Sequence, residues 1–335
     1  MNSIRIRSVS RIHITLIDLS GVWGIIDGGA GVILEEPYFM VSVGVSDQDL
    51  VHIITSQESC KGVCEEELLR IAGKCLSRIK DYLGSRKGFN ILIERLYPPH
   101  IGLGSTTQLC MSIGLGVWLL ERGEKPDYIE LARAVKRGGT SGIGVHGFEL
   151  GGFIIDGGHL KDIEKKEFLP SDYSKAPPPP LLIRESIPEE WRFILIIPKV
   201  LGERIYGSRE ADIFRTYTPL PEKEAYEVSY HVFMGLLSSI RRKSIKMFRR
   251  HLRRIQDIGF KLIEWKIQDP RVIELAEYLD RSGLEYGLSS MGPTIFIPAS
   301  FEEIPKVLEM LQPFSNEFQI IESKGRNRGA EYSIQ

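Results

Sequence analysis

The stretch from residue 98 to 108, PPHIGLGSTTQ, constrains the fold of this chain more than any other. It joins a predicted strand, FNILIE at 89–94, to an apolar helix predicted from residue 105 to 120. Gly102 and Gly104 allow the backbone to approach a ligand closely and to adopt positive φ. A helix that begins here offers unpaired N–H groups and a partial positive charge to a phosphate-like anion. The pattern therefore predicts a strand, a glycine loop and a helix arranged as a diphosphate-binding cradle.

The first turn of that helix adds side-chain donors to the cradle. Ser105 and Gln108 have the spacing of a capping box, and two threonines lie between them. No Gly-Lys-Ser/Thr closes the loop, so it is not a Walker loop. The alternative interpretation is a tight turn with an ordinary cap. The predicted diphosphate-binding residues are Gly102, Leu103, Gly104, Ser105, Thr106, Thr107 and Gln108.

Helices and strands alternate along both halves of the chain. RIHITLI at 11–17 and RFILII at 192–197 read as strands, and residues 65–83 and 270–283 read as helices. The fold class is therefore α+β or α/β, with two layers per domain. Pro177–Pro180 favour an extended segment without backbone hydrogen bonds. We predict a first domain over 1–176, a connection over 177–189 and a second domain over 190–335.

Composition excludes several classes of protein. The 43 Lys and Arg residues nearly balance 44 Asp and Glu residues, so no bulk charge attracts nucleic acid or an anionic membrane. The longest apolar stretch, around 109–120, is too short to span a bilayer, and the N-terminus carries no signal peptide pattern. We expect a cytoplasmic protein that does not bind membranes. Its cysteines are expected to be thiols rather than a disulfide framework or zinc site: Cys60, Cys64, Cys75 and Cys110.

A strongly basic run occupies residues 241–254, RRKSIKMFRRHLRR. Its apolar residues keep helical spacing, with Ile245, Phe248, Leu252 and Ile255 on one face. We favour a core helix with a solvated basic face. A nucleic-acid-binding surface is the alternative, although no aromatic platform accompanies the charges.

Three motifs in order resemble the GHMP kinase superfamily. The glycine loop resembles its phosphate-binding motif, SSMGPT at 289–294 resembles its C-terminal glycine motif, and TSGI at 140–143 resembles the segment that carries the catalytic aspartate of the kinases. The resemblance implies an α+β, GHMP kinase-like two-domain fold. Its first domain would resemble the second domain of a small-subunit ribosomal protein, and its second would be ferredoxin-like. Ser289 and Gly292 would then lie beside the phosphate loop.

One position departs from the kinase pattern. Kinases of this group have Ser-Gly-hydrophobic-Asp, whereas this chain has Gly144 in place of the aspartate. The spacing from Gly144 to the paired glycines Gly151 and Gly152 is that of the kinases, so no shift restores the acid. Loss of a positioned base typically costs ~10²–10⁴-fold in rate. The chain therefore reads as a phosphate-binding fold without ordinary kinase chemistry.

Longer motifs resemble one non-kinase branch, the archaeal β-ribofuranosylaminobenzene 5′-phosphate synthases of methanopterin biosynthesis. They are RIHITLIDL at 11–19, DGGAG at 27–31, RGGTSGIGV at 137–145 and GGFIIDGGH at 151–159. The resemblance implies condensation of 5-phosphoribosyl diphosphate with 4-aminobenzoate or a 4-hydroxybenzoate-like acid. The products would be a C-riboside 5′-phosphate, CO2 and diphosphate, with Mg²⁺ as cofactor and no need for ATP.

Candidate residues for this chemistry lie near the motifs. Asp18 and Asp27 are candidate metal or ribose ligands, or else turn-capping aspartates. Arg11 and His13 share one strand face and are candidate anchors for the benzoate carboxylate, or else surface charge on an edge strand. Arg137 could bind the 5-phosphate, although a helix dipole would also explain it.

The remaining candidates fall in the block from residue 139 to 159. We expect ligand to approach the backbone or hydroxyl groups of Gly139, Thr140, Ser141, Gly142 and Gly144. His146, His159 and Glu149 are weaker candidates, because a lone histidine more often has a structural role. The rival enzyme hypothesis is an ATP-dependent small-molecule kinase that recruits Asp156 or Glu149 instead. In either case we expect a homodimer.

Overall fold

The computed structural model describes residues 3–54, 62–202 and 206–335. The described residues of the first half contribute to two sheets and form four helices. Its elements are β1 Ser3–Arg7, β2 Ser10–Asp18, β3 Ile25–Leu34, β4 Met40–Ser46, β5 Leu50–Ile53, α1 Val63–Leu83, β6 Gly88–Arg95, α2 Ser105–Arg122, α3 Tyr128–Ala134, α4 Ile143–Leu150, β7 Phe153–Asp156, β8 His159–Leu160 and β9 Leu181–Glu185.

The second half is mostly helical before it returns to a sheet. Its elements are β10 Trp191–Pro198, α5 Ser208–Tyr217, α6 Glu222–Tyr230, a π-helical segment His231–Leu237, α7 Ser238–Arg241, α8 Ile245–Ile255, α9 Gly259–Lys266, α10 Pro270–Arg281, β11 Gly287–Leu288, β12 Ile295–Ser300, a 3₁₀ turn Phe301–Glu303, α11 Ile304–Leu311, a second 3₁₀ turn Gln312–Phe314, β13 Phe318–Lys324 and β14 Glu331–Ile334.

Three sheets form the framework of the described residues, and β14, from the predicted second domain 190–335, joins a sheet of the first half. One sheet of the first half has the order β14-β1-β4-β6-β5, and the other runs β2-β3-β7-β9, with β8 paired to β3. The sheet of the second half is antiparallel with the order β11-β12-β10-β13. Helices α10 and α11 pack their apolar faces on it. Strand, helix, two strands, helix and strand is the ferredoxin-like arrangement, so the predicted α+β fold is confirmed.

Helix α2, which follows the predicted glycine loop, lies in the core. Its residues from Gln108 to Trp118 are buried, and it packs against α1 and β4. An apolar sequence on all sides of a helix is typical of such burial. This position fixes the N-terminus of α2 at the surface facing the second half of the chain.

The structure adds a strand to the predicted connection and changes the expectation for one pair of cysteines. Strand β9 occupies residues 181–185 of the predicted connection 177–189 and pairs with β7. The sulfur atoms of Cys75 in α1 and Cys110 in α2 are joined, with Cα atoms 5.2 Å apart, instead of remaining thiols. Cys60 lies outside the described residues.

The basic run forms the end of α7 and most of α8, as the helical spacing predicts. Ser244 caps α8, while Phe248, Leu252 and Ile255 are buried. Several of the basic side chains have acidic partners, which neutralise much of that face: Arg241 with Glu185, Arg249 with Glu303, Arg253 with Asp257 and Arg254 with Glu227. Over the described ranges, the helices are all too short or too polar to cross a bilayer.

Candidate active site

The C-terminal glycine motif holds the phosphate loop against the edge of β2. Ser289 Oγ donates to Gly102 O at 2.7 Å and accepts from the backbone N–H of His13 at 3.0 Å. Thr294 Oγ1 donates to Ile101 O at 2.5 Å. Gly102 has φ of +86°, and a Cβ there would lie 2.2 Å from Ser289 O. Glycine is therefore required at residue 102, and the predicted neighbourhood of the two motifs is confirmed.

Helix α2 begins differently from the predicted capping box. Gly104, with φ of +77°, is the N-cap residue, and no side chain caps the helix. The first helical bond runs from Gln108 N–H to Gly104 O at 3.1 Å. The amides of Ser105, Thr106 and Thr107 therefore have no partner within the helix. The Gln108 side chain donates instead to Gly144 O at 2.9 Å, so the capping-box prediction is wrong while the cradle of free amides is present.

An open pocket lies in front of this helix terminus, between the two halves of the chain. It holds about 900 Å³ of space outside the protein atoms, its mouth included. The predicted residues that line it are Arg11, His13, Gly102, Gly104, Ser105, Thr106, Thr107, Arg137, Thr140, Ser141 and Gly292. The other predicted residues are not among the pocket's lining residues: Leu103, Gln108, Gly139, Gly142, Gly144, Ser289, Asp18 and Asp27.

Two arginines flank the free amides. Arg11 Nη1 donates to Gly102 O at 2.6 Å, which directs the guanidinium to the loop rather than to solvent. Burial lowers the pKa of Arg11 to about 10, so the side chain stays charged at neutral pH. Arg137 Nε donates to Thr107 Oγ1 at 3.2 Å, and Arg137 also pairs with Asp172. This side of the pocket is cationic.

His13 lies beside Arg11 but differs from it in charge. Burial lowers the pKa of His13 well below its usual value, and the nearby Arg11 and Lys261 charges lower it further. The ring is therefore neutral, and its buried Nδ1 has no hydrogen-bond partner among the described residues. The neutral His13 ring can form a hydrogen bond with a ligand. Of the two residues predicted to anchor the benzoate carboxylate, only Arg11 carries a positive charge.

Asp18 is held in a turn outside the pocket. Its Oδ1 accepts from Ser20 N–H and Ser20 Oγ, each at 2.7 Å, and from Gly21 N–H at 3.0 Å. This is the turn-capping role given above as the alternative. The Oδ1 oxygen of this carboxylate is therefore already occupied by three donors.

Asp27 is fully buried in a structural cluster. Its Oδ2 lies 2.7 Å from His159 Nδ1 and 2.8 Å from Lys165 Nζ. A metal ion at this oxygen would compete with the lysine ammonium. Over the residues that the structure describes, no group of three or more His, Cys, Asp or Glu side chains could hold a metal ion. Asp27 Oδ1 is buried without a hydrogen-bond partner among the described residues. Neither Asp18 nor Asp27 lines the pocket, so neither is placed to bind a metal ion there.

The place left by the missing kinase aspartate faces the phosphate loop. A Cβ at Gly144 would lie 3.2 Å from Thr107 Cγ2, so any side chain at residue 144 would face the first turn of α2. Arg137 already contacts Thr107 through its hydroxyl. A cation therefore stands near the region where the kinases of the resembled group have a carboxylate.

The substitute carboxylates named in the kinase hypothesis do not line the pocket. Asp156 Oδ2 accepts from Gly142 N–H at 2.8 Å and from Ser141 Oγ at 3.1 Å, just before α4 begins. Burial raises the pKa of Asp156 to about 7. Glu149 is exposed on α4, and His146 Nε2 lies 2.8 Å from Pro179 O. None of these three side chains, Asp156, Glu149 and His146, lines the pocket.

Sequence reasoning missed the opposite wall of the pocket. Helix α5 contributes Glu210 and Phe214, α9 contributes Glu264, and the glycine motif adds Met291. Glu264 pairs with the buried Lys261, whose Nζ donates to Leu288 O at 3.0 Å. No motif marks these positions in the sequence, because only folding brings α5 and α9 opposite the loop.

Comparison with proteins of known fold agrees with this architecture. The family model described as "GHMP kinases N terminal domain" matches residues 70–152. Homoserine kinase from Cytophaga hutchinsonii superposes with a TM-score of 0.64 at 15% identity, covering 99% of this chain and 97% of that one. Mevalonate diphosphate decarboxylase from Enterococcus faecalis superposes with a TM-score of 0.66 at 13% identity over 100% of both chains. These likenesses show the fold alone.

Curated relatives match over nearly the full length. The β-ribofuranosylphenol 5′-phosphate synthase of Methanothermobacter thermautotrophicus is 38% identical over 97% of both chains. The protein of that name from Methanocaldococcus jannaschii is 35% identical over 97% of this chain and 98% of its own, and that from Archaeoglobus fulgidus is 33% identical over 99% and 100%. With this identity and coverage, the chain is an enzyme that belongs to the β-ribofuranosylphenol 5′-phosphate synthase family.

Proposed function

We propose that this enzyme is a pentosyltransferase that condenses 5-phosphoribosyl diphosphate with 4-hydroxybenzoate or 4-aminobenzoate. A bond forms between ribose C1 and the carboxylated ring carbon while the bond from C1 to the diphosphate breaks. CO2 then leaves, and its bonding electron pair restores the aromatic ring. The observation that carries the proposal is the set of free α2 amides between two arginines, with glycine at residue 144.

The cationic side of the pocket suits the departing diphosphate. Negative charge builds on the leaving oxygens as the bond to C1 breaks, and preorganised donors stabilise such charge strongly. The amides of Ser105–Thr107 and the hydroxyls of that turn supply these donors, with Arg11 and Arg137 on either side. In this arrangement Arg137 binds a phosphate of the donor, and Arg11 is the candidate anchor of the benzoate carboxylate.

Thr140 and Ser141 also line the pocket, together with the α2 amides and the two arginines. Thr140 Oγ1 donates to Leu169 O at 2.5 Å, and Ser141 Oγ donates to Asp156 at 3.1 Å. Each hydroxyl oxygen already accepts one hydrogen bond, Thr140 from Lys165 Nζ and Ser141 from Ile143 N–H, each at 3.3 Å. One lone pair of each oxygen remains to accept a hydrogen bond from a ribose hydroxyl. Mg²⁺ is part of the proposal as an ion carried by the diphosphate, and no side chain is assigned to it.

The name of the relatives favours the hydroxy acid as acceptor. A ribofuranosylphenol is what loss of CO2 from 4-hydroxybenzoate would leave after attachment of the sugar, whereas 4-aminobenzoate would leave an aniline. A place in methanopterin biosynthesis, a cytoplasmic location and a homodimer complete the proposal. Sedimentation of the purified protein at several concentrations measures the last of these.

The experiment supplies purified protein with 5-phosphoribosyl diphosphate, Mg²⁺ and each benzoate labelled at its carboxyl carbon. We expect labelled CO2 and an equal amount of diphosphate, both dependent on the donor. Folded protein that releases no label from either acid would refute the proposed reaction.

The kinase hypothesis is tested in parallel. ATP is supplied with sugars, mevalonate-like acids and pantoate, and ADP is measured. We expect no stimulated ADP release, because residue 144 is glycine and neither Asp156 nor Glu149 lines the pocket. Stimulation by any member of the panel would instead favour a kinase.

A further inference from the structure

Helix α5 presents an acid and an aromatic ring to the same pocket. Glu210 and Phe214 are one helical turn apart, so they lie on one face of the helix, and both line the pocket. Phe214 belongs to an apolar cluster with Leu16 and Met291, which also line the pocket. The wall opposite the cationic loop thus combines an apolar surface with a carboxyl group.

Glu210 differs from the other acidic side chains of the pocket. Asp172 is paired with Arg137, and Glu264 is paired with Lys261. Half-buried Glu210 forms no hydrogen bond or ion pair with any residue that the structure describes. Since no described cation forms an ion pair with it, this carboxyl group at the edge of an apolar surface is available to a ligand.

We infer, on the basis of the proposed function, that the acceptor ring lies against Phe214, Leu16 and Met291, and that the Glu210 carboxylate accepts the proton of its para hydroxyl. An aromatic surface suits a planar benzoate through ring–ring contact. The acceptor ring then has the apolar wall on one side. On its other side lies the donor sugar, whose diphosphate is held by the α2 amides.

The proton transfer balances over the full reaction. The phenolic proton moves to the Glu210 carboxylate as the C1 bond forms, and diphosphate leaves with the electron pair of its bond to C1. The ring is then a dienone whose substituted carbon carries both ribose and carboxylate. As CO2 leaves, its bonding pair restores the ring, and the oxygen takes the proton back from Glu210. No oxidant, reductant or net proton is required.

The electrostatics of the wall support this role. Burial, together with nearby Asp172 and Glu264, raises the pKa of Glu210 to about 8, while Arg137 and Arg11 oppose the rise. That value approaches the pKa of a phenol, about 10 in tyrosine, which favours proton exchange between the two groups. The other titratable groups lining this pocket are the imidazoles of His13 and His100.

A comparison of the two acceptor substrates, 4-hydroxybenzoate and 4-aminobenzoate, distinguishes proton transfer by Glu210 from a purely structural role. A phenol must lose its proton to form the neutral dienone, whereas the neutral amine of 4-aminobenzoate can donate its lone pair first. Substitution of Glu210 should therefore harm the reaction of the hydroxy acid far more than that of the amino acid.

The test compares Glu210→Gln with Asp212→Asn, a change on the same helix at a side chain that is 68% exposed. With 4-hydroxybenzoate we expect Glu210→Gln to lower kcat about 10²-fold, and with 4-aminobenzoate by less than about 3-fold. Glu210→Asp should recover part of the loss. Because the ionised carboxylate is the active form, wild-type kcat/KM for the hydroxy acid should rise with pH up to about 8, and Glu210→Gln should remove this rise.

Equal losses with both acceptors, or an unchanged pH profile in Glu210→Gln, would overturn the inference while leaving the proposed function intact. So would a wild type that uses only 4-aminobenzoate, since no phenolic proton then moves. A wild type that converts neither acid would remove the proposed function, and the inference with it. Circular dichroism and donor affinity show that each variant is folded.

Discussion

The first half of the chain contributes the free α2 amides and two arginines to the pocket, whereas the second half contributes carboxyl groups and most of the apolar surface. On the first wall, the amides of Ser105–Thr107 stand between two arginines. On the second, Glu210 and Phe214 project from α5. The contrast separates the two tasks of the proposed reaction. One wall stabilises a leaving anion, and the other holds a planar acceptor and moves a proton.

The strongest test of the contrast places an acid on the cationic wall. Gly144→Asp would direct a carboxylate at Thr107, and two unit charges about 4 Å apart repel by about 4 kcal/mol at an effective dielectric of about 20. We expect 5-phosphoribosyl diphosphate to bind about 10³-fold more weakly, as measured by calorimetry. Gly144→Asn is the control of nearly equal size. If both variants bind alike, the charge at this position is irrelevant.

Removing a cation from the same wall should have the next largest effect. Arg137→Met deletes a charged donor, and hydrogen bonds to charged groups contribute about 1.5–3 kcal/mol. We expect kcat/KM for the donor to fall about 10–10²-fold, with the acceptor KM little changed. Arg78→Met is the matched control, because Arg78 Nη1 donates to Val135 O outside the pocket. An equal loss in both variants would point to destabilisation instead.

A smaller effect is expected where hydroxyls support backbone donors that remain. Ser105→Ala combined with Thr106→Ala should weaken donor binding about 10-fold without changing the fold, since the amides persist. Ser112→Ala is the control, because it removes a hydroxyl from the buried part of the same helix, where Ser112 Oγ donates to Gln108 O at 2.8 Å. Unaltered donor affinity in the double variant would move the diphosphate elsewhere.

The smallest expected effect concerns the apolar wall. Phe214→Leu keeps much of the apolar area but loses ring contact worth about 0.5–1.5 kcal/mol, so the acceptor KM should rise about 3–10-fold. The donor KM should not change. Phe260→Leu is the control, because Phe260 packs against Phe214 in the same cluster without lining the pocket. A shift in the donor KM instead would contradict the division of the two walls.

The sequence predicts the first wall well because its signals are local. Gly102 and Gly104, which have positive φ, lie next to the start of the apolar helix α2, so a short stretch of sequence predicts the loop. Even there, the cap was misread as Ser105, since the turn needs positive φ and glycine takes that position. The second wall has no such signal. Nothing within α5 distinguishes Glu210 from an ordinary surface acid, and its role arises from residues far away in the chain.

Aspartates near glycines illustrate the limit of a local interpretation. Asp18 and Asp27 are paired across β2 and β3, yet Asp18 Oδ1 accepts hydrogen bonds within a turn and Asp27 Oδ2 contacts a buried histidine and a buried lysine. Whether a carboxylate reaches ligand depends on its partners. For Asp27 these partners come from residues 159 and 165, which no pattern in the sequence links to it.

The join between the glycine motif and β2 has a mechanical consequence. Ser290 N–H donates to His13 O at 2.9 Å, and Ser289 bridges His13 and Gly102. The second half of the chain thereby covers the open edge of β2 and at the same time props up the phosphate loop. A displacement of the glycine motif relative to β2 would therefore also change the shape of the glycine loop. Other bonds between the halves, such as Gly152 N–H to Arg326 O at 2.6 Å, lie away from that loop.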